Sequence, residues 1–212
     1  MATMPRGEPR SVPDAAGDAY DAMIKSIRRL AQGDTDLSDG DDTGYYRLGL
    51  EWLTGLGPRR HEFGQNDPAT KILRGHEHIA TLRKHIADST LEVGKTYHDN
   101  FSLGGRQGVP KFAKVYSAVP TGGRVGNLAA AYLGSYPLEY RVLSVNKDGS
   151  KAVAFKVANQ STLESATRPP VLGYTGPYKE IVGPALNSLV PTGPLSKTSQ
   201  TFEWTETIPA GK

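Results

Sequence analysis

The stretch YPLEYRVLSVNKDGSKAVAFKVA, residues 136–158, decides the fold. Leu138, Tyr140 and Val142 point to one side of an extended chain, and Glu139 and Arg141 to the other. Asn146-Lys147-Asp148-Gly149 is a turn signal. After Lys151 the alternation resumes with Val153, Phe155 and Val157 on one side. Two alternating runs joined by a tight turn predict a β-hairpin with one face on the core. A third alternation closes the chain, with Phe202, Trp204 and Ile208 set against Thr201, Glu203, Thr205 and Thr207. Ser199 to Ile208 therefore reads as a final strand.

Helical spacing appears on either side of these strands. Tyr20, Met23, Ile24, Ile27 and Ala31 predict an amphipathic helix over 14–32. Tyr45 to Leu53 reads as a short helix carrying Trp52. Asp67-Pro68 is a helix start, with Asp67 as the cap, and Ile72, Ile79, Leu82 and Ile86 form the buried side of one helix over 68–87. Tyr178, Ile181, Val182, Ala185, Leu186 and Leu189 fit a late helix that Gly183-Pro184 kinks or splits. Between 94 and 135 the chain is Gly-rich, with short strands expected near 112–119 and a small-residue stretch at 127–133. The expected class is α+β: N-terminal helices, then a mostly antiparallel β-sheet, with a late helix. Residues 1–13 read as a flexible leader and 14–212 as a single domain.

Composition bounds the chemistry. The chain has no cysteine, which excludes disulfides, thiol catalysis and thiolate metal sites. A net charge of +3 permits a nucleic-acid substrate without demanding one. The 24 glycines and 15 prolines argue against a helical bundle. No apolar run is long enough for a membrane-spanning helix, and residues 1–17 lack the apolar core of a signal peptide. Export is therefore expected to depend on a carrier.

Arg59-Arg60-His61-Glu62 combines imidazole, carboxylate and cations. A metal-independent ribonuclease needs a base for the 2′-hydroxyl, an acid for the leaving oxygen and a cation for the phosphorane charge. His61, Glu62 and Arg59 are the expected catalytic set, with His98 as a second imidazole. Arg60 is an expected substrate contact. Arg106 in GGRQG (104–108) and Arg124 in TGGRVG (121–126) are further ones, since Gly-rich turns can cradle phosphate. The plain alternative is a charged surface loop at 59–62 and flexible connections at the two Gly-rich turns. His76 and His78 are two residues apart and face different ways on a helix, so no metal site and no cofactor is expected. One half-buried histidine, His76, and two solvent-facing ones, His78 and His85, are expected instead. The aspartates of 34–44 lack the calcium-loop pattern and read as a solvated loop.

Three segments carry a resemblance: GLGPRRHEFGQNDPATKILRG (55–75), LGSYPLEYRVLSVNKDGSKAVAFKVANQSTLESATRPPVLGYT (133–175) and PTGPLSKTSQTFEWTE (191–206). They resemble C-terminal toxin domains of secreted bacterial polymorphic toxins, of the Rhs type and of large actinobacterial secreted proteins. The resemblance implies an effector domain carried by a larger secreted protein, acting in a target cell and paired with a cognate immunity protein. It implies no reaction. Joined to the residue reading, it leads to an antibacterial toxin domain that acts on RNA as a metal-independent nuclease. Two alternatives stand beside it: a membrane- or envelope-acting toxin without an enzymatic centre, and a non-toxic protein-interaction module.

Overall fold

The computed structural model describes residues 43–55, 57–103, 127–162 and 192–211, together with Gln32. The helix expected over 14–32, the acidic loop, the strands near 112–119 and the late stripe at 178–190 lie outside the described residues.

A five-stranded mixed sheet organises these residues, in the order β1-β5-β4-β3-β2. Strands β3 (Tyr136–Val145) and β4 (Lys151–Ser161) form the expected hairpin, and β5 (Thr198–Ile208) is the expected final strand. Their pairings are antiparallel, as is that of β2 (Thr96–Phe101) with β3. Strand β1 (Arg60–Phe63) is the exception and runs parallel to β5. It occupies the segment that reads in the sequence as a charged surface loop, because four residues are too few to show periodicity.

Helices cover one face of the sheet. They are α1 (Thr43–Thr54), α2 (Pro68–Arg74), α3 (Glu77–Asp88) and α4 (Leu128–Leu133). The single helix expected over 68–87 is two. Gly75 ends the first, donating its N–H to the Ile72 carbonyl, and His76 is extended at ψ 142° before the chain turns again. That break turns His76 inward, where it is buried. Asp67 sits at the cap position of α2 but does not cap it; its Oδ2 accepts instead from Gly64 N at 2.7 Å.

The core lies between helices and sheet. Tyr140, Phe155 and Trp204 stand side by side on neighbouring strands, and Phe155 stacks on Trp204 at 5.0 Å and 8°. Two charged residues also point to this side. Lys151 Nζ donates to the carbonyls of Ile86, Ala87 and Ser89, filling the acceptors at the end of α3. Glu206 receives Arg83 through both carboxylate oxygens and Arg74 through Oε2, tying α2 and α3 to β5.

Trp204 is buried and its Nε1 has no hydrogen-bond partner, so its role here is packing. Trp204→Ala is expected to cost about 3–5 kcal/mol, the usual penalty for emptying a large aromatic site. Urea unfolding measures it; a loss below about 1 kcal/mol would show that the aromatic row does not hold the sheet to its helices.

Candidate functional site

The expected catalytic residues part company because strand alternation divides them. Arg60 and Glu62 project to the face of β1 that no described helix covers, where they pair with each other at 2.7 Å in solvent. His61 projects to the helix-covered face and is 7% exposed. His98 lies on β2, the opposite edge of the sheet, on the uncovered face beside Glu139 at 3.7 Å. Four strand spacings put it roughly 19 Å from β1. His98 and His61 therefore do not share a site, and Arg60 and Glu62 do not face His61. Arg59 is turned to the backbone, donating from Nη2 to the carbonyls of Gly55 and Gly193 at 3.2 and 2.8 Å. Arg106 and Arg124 lie outside the described residues.

What His61 meets instead is a buried ion group on α1. Its Nε2 lies 3.0 Å from Glu51 Oε2, while Arg47 Nε donates to Glu51 Oε1 at 3.1 Å. Arg47 and Glu51 are each 2% exposed. The His61 contact is close but not linear, for Oε2 accepts no aligned hydrogen bond. Two bare lone pairs would repel at this separation, so Nε2 carries a proton and Nδ1 is the other ring nitrogen. The ring itself lies parallel to Phe63 at 5.9 Å, and Phe63 stacks on Phe202 at 4.8 Å.

Beside this group sits a second, neutral one. Gln200 pairs in register with His61 and is completely buried. Its Oε1 accepts from Asn159, and its Nε2 donates to Thr198 Oγ1 and Tyr132 Oη. Both amide protons and the carbonyl are engaged, so Gln200 is a brace. Tyr132 is the hub: its hydroxyl donates to the Leu48 carbonyl and accepts from Ser161 and Gln200. Helices α1 and α4 and strands β4 and β5 thus meet at one hydroxyl.

Glu51 and Arg47 escape the sequence reading. The available signal was an Arg and a Glu at i and i+4 inside the apolar run Tyr45 to Leu53, each next to a core residue, Leu48 or Trp52. Such a pair in a buried stripe has to be satisfied internally.

At the other edge of the sheet, His78 Nε2 lies 3.1 Å from Asp99 Oδ2, and its buried Nδ1 has no partner. His76 Nδ1 is 2.8 Å from Tyr136 Oη, and the rings of both histidines pack on Phe101. The expectation of a solvent-facing His78 is corrected: the break before α3 turns it toward β2. His85 is exposed, as expected. Among the described residues no group of three metal-ligating side chains comes together.

The uncovered face holds a shallow trough of about 480 Å³ over Thr96, Arg141, Ala154 and Thr205. Cations and anions alternate beside it, with Lys156 and Glu203 paired at 2.7 Å. Such a surface offers little to a polyanion.

Compared with known proteins, the chain matches no family model, no curated protein and no solved structure.

Burial pushes the Tyr132 phenol up to about 12. In the unfolded chain it ionises near 10. Its contribution to stability is therefore whole below pH 10 and is lost as pH rises toward 12. Tyr132→Phe is expected to flatten the alkaline fall in stability between those limits by about 2–3 kcal/mol. Urea midpoints at pH 8 and pH 11.5 test this, and parallel pH profiles for the two proteins would contradict it.

Proposed function

We propose that this chain is an antibacterial effector domain that cleaves RNA by metal-independent acid–base chemistry at His61. The observation that carries the reading is the buried Arg47–Glu51–His61 group. Desolvating three ionisable side chains costs several kcal/mol and is seldom favourable for stability alone. Reactive sites are where such arrangements recur. Arg47 fixes Glu51, and Glu51 fixes the His61 ring and its tautomer, which directs the Nδ1 lone pair away from the carboxylate.

In this reading Nδ1 takes the proton of a ribose 2′-hydroxyl as that oxygen attacks the neighbouring phosphorus. The 5′-oxygen leaves and takes a proton from solvent water, giving a 2′,3′-cyclic phosphate and a 5′-hydroxyl end, and His61 returns its acquired proton to solvent. Glu51 balances the positive imidazolium that forms. Arg106 and Arg124 keep their expected roles as phosphate contacts. Glu62, Arg60 and His98 have none. The resemblance supplies the context of a larger secreted bacterial protein, a target cell and a cognate immunity protein.

A second reading, a non-toxic interaction module, draws on the trough of the uncovered sheet face, whose alternating charges suit a protein surface better than a nucleic acid. For the membrane-acting alternative, no helix among the described residues is long and apolar enough to cross a bilayer.

The two readings separate on inducible expression of the chain inside a bacterium, with total RNA, chromosomal DNA and membrane potential followed from the first minutes. RNA breakage in polarised cells is expected. His61→Gln, at an unchanged melting temperature, is expected to slow it by at least about 100-fold, the scale of a lost general base. Undisturbed growth with folded wild-type protein, or depolarisation over intact RNA, would overturn the proposal.

A further inference from the structure

The two strands at one side of the sheet are unequal in length. Strand β5 runs from Thr198 to Ile208, but β1 pairs only with Ser199 to Phe202. Ser199 N donates to the Arg59 carbonyl, so the backbone groups of Ser199, and of every second residue after it, face away from β4. Thr205 and Thr207 share that direction. After Phe63 the chain turns off, with Asp67 N donating to the Gly64 carbonyl, and enters α2. The second half of β5 therefore has no neighbouring strand on this side among the described residues.

One group of this overhang is satisfied by imitation. The Thr205 N–H donates to Gln65 Oε1 at 3.2 Å, a side-chain carbonyl standing where a further strand would place a backbone one. The Thr205 carbonyl and both backbone groups of Thr207 have no partner among the described residues, and both side chains are exposed. Between these two residues Glu206 points to the helix-covered side. Its carboxylate holds Arg83 through two contacts and Arg74 through one, so two cations share one anion. Arg83 also donates to the Arg74 carbonyl. Arg74 gives only Nη2 to Glu206; its Nε and Nη1 have no partner among the described residues, and its side chain is 29% exposed. A strand edge with open backbone groups thus lies beside an unbalanced guanidinium.

We infer that the overhang Glu203–Ile208 of β5 is a docking edge for an extended segment of a protein partner, which adds a strand there and presents a carboxylate to Arg74. The backbone recognises the extended chain: Thr207 N–H donates to a carbonyl of the segment, and the carbonyls of Thr205 and Thr207 accept from its amides. Residues paired across a sheet share a face, so the segment residue opposite Glu206 stands about 5 Å from it, beside Arg74 and Arg83. An acidic residue at that place balances the excess cation, whereas a lysine would meet two guanidiniums. A second copy of this chain fits poorly, because a two-fold pairing of this edge with itself sets the same arginines against each other. His61 takes no part, so strand addition and RNA cleavage can fail separately.

The test uses the full chain labelled with nitrogen-15 and a synthetic capped hexapeptide in which threonines alternate with valine, glutamate and valine. One face of the probe then carries the carboxylate between two apolar residues. At millimolar peptide, hydrogen exchange at the Thr207 amide is expected to slow about tenfold, the factor of one added hydrogen bond. The Lys156 amide, inside the sheet between β3 and β5, is expected to keep its rate. Thr207→Pro removes the outward N–H without touching the ladder to β4, and is expected to abolish binding. Glutamine in place of the peptide's glutamate is expected to weaken binding to the wild-type chain about fivefold, the scale of one solvent-exposed ion pair, and to make no difference to Arg74→Gln. Where Thr207→Pro fails to fold, the two peptides compared on the wild type and on Arg74→Gln decide. Unchanged exchange at Thr207, binding that survives Thr207→Pro, or equal affinity of the wild type for the two peptides overturns the docking edge.

Discussion

The parallel pairing of β1 with β5 is the constraint on which the rest of the molecule depends. A four-residue edge strand in parallel register has little stability of its own. It is held by what surrounds it: Ser199 N donates to the Arg59 carbonyl, Phe63 stacks on Phe202, and Arg59 fastens the loop before it. The pairing fixes the register of His61 against Gln200, and period-two alternation then sends His61 to the helices and Arg60 and Glu62 to solvent. A slip of one residue would exchange them.

Two kinds of polar burial meet at that end of the core, and they differ in energetic character. The neutral set around Gln200 is fully engaged, and a saturated amide network in a low-dielectric interior gives rigidity and a unique arrangement. The ionic set around Glu51 is left with an oxygen that accepts no aligned bond. A buried charge in that condition costs stability rather than adding to it. The neutral network holds the walls in place while the ionic group stays imperfectly satisfied. That division separates the framework from the proposed reactive centre more clearly than position in the fold does.

The elements that the sequence made legible are those with long alternation. The hairpin of β3 and β4 and the final strand carry their hydrophobic rows openly, and the structure bears them out. Strand β1 was hidden because Gly-Pro-Arg-Arg-His-Glu looks like a turn and only its pairing with a strand at the far end of the chain makes it extended. The helix break at Gly75-His76 was hidden for the opposite reason: the apolar spacing continues across it, and the burial of His76 against Tyr136 decides the matter. His61 was legible as a chemically capable residue, but its partners were not. Its neighbours in space are not its neighbours in sequence: Glu51 arrives from the preceding helix and Gln200 from the far end of the chain.

The account turns on Glu51 holding His61 in one tautomer within a closed site. Nitrogen-15 NMR of the histidine rings at neutral pH measures this directly, through the shifts and two-bond couplings that identify which nitrogen bears the proton. The expected result is a His61 ring with its proton on Nε2, a pattern that weakens in Glu51→Gln. A His61 ring protonated on Nδ1 alone, or averaged between tautomers as in an unconstrained surface histidine, would contradict the account at its centre.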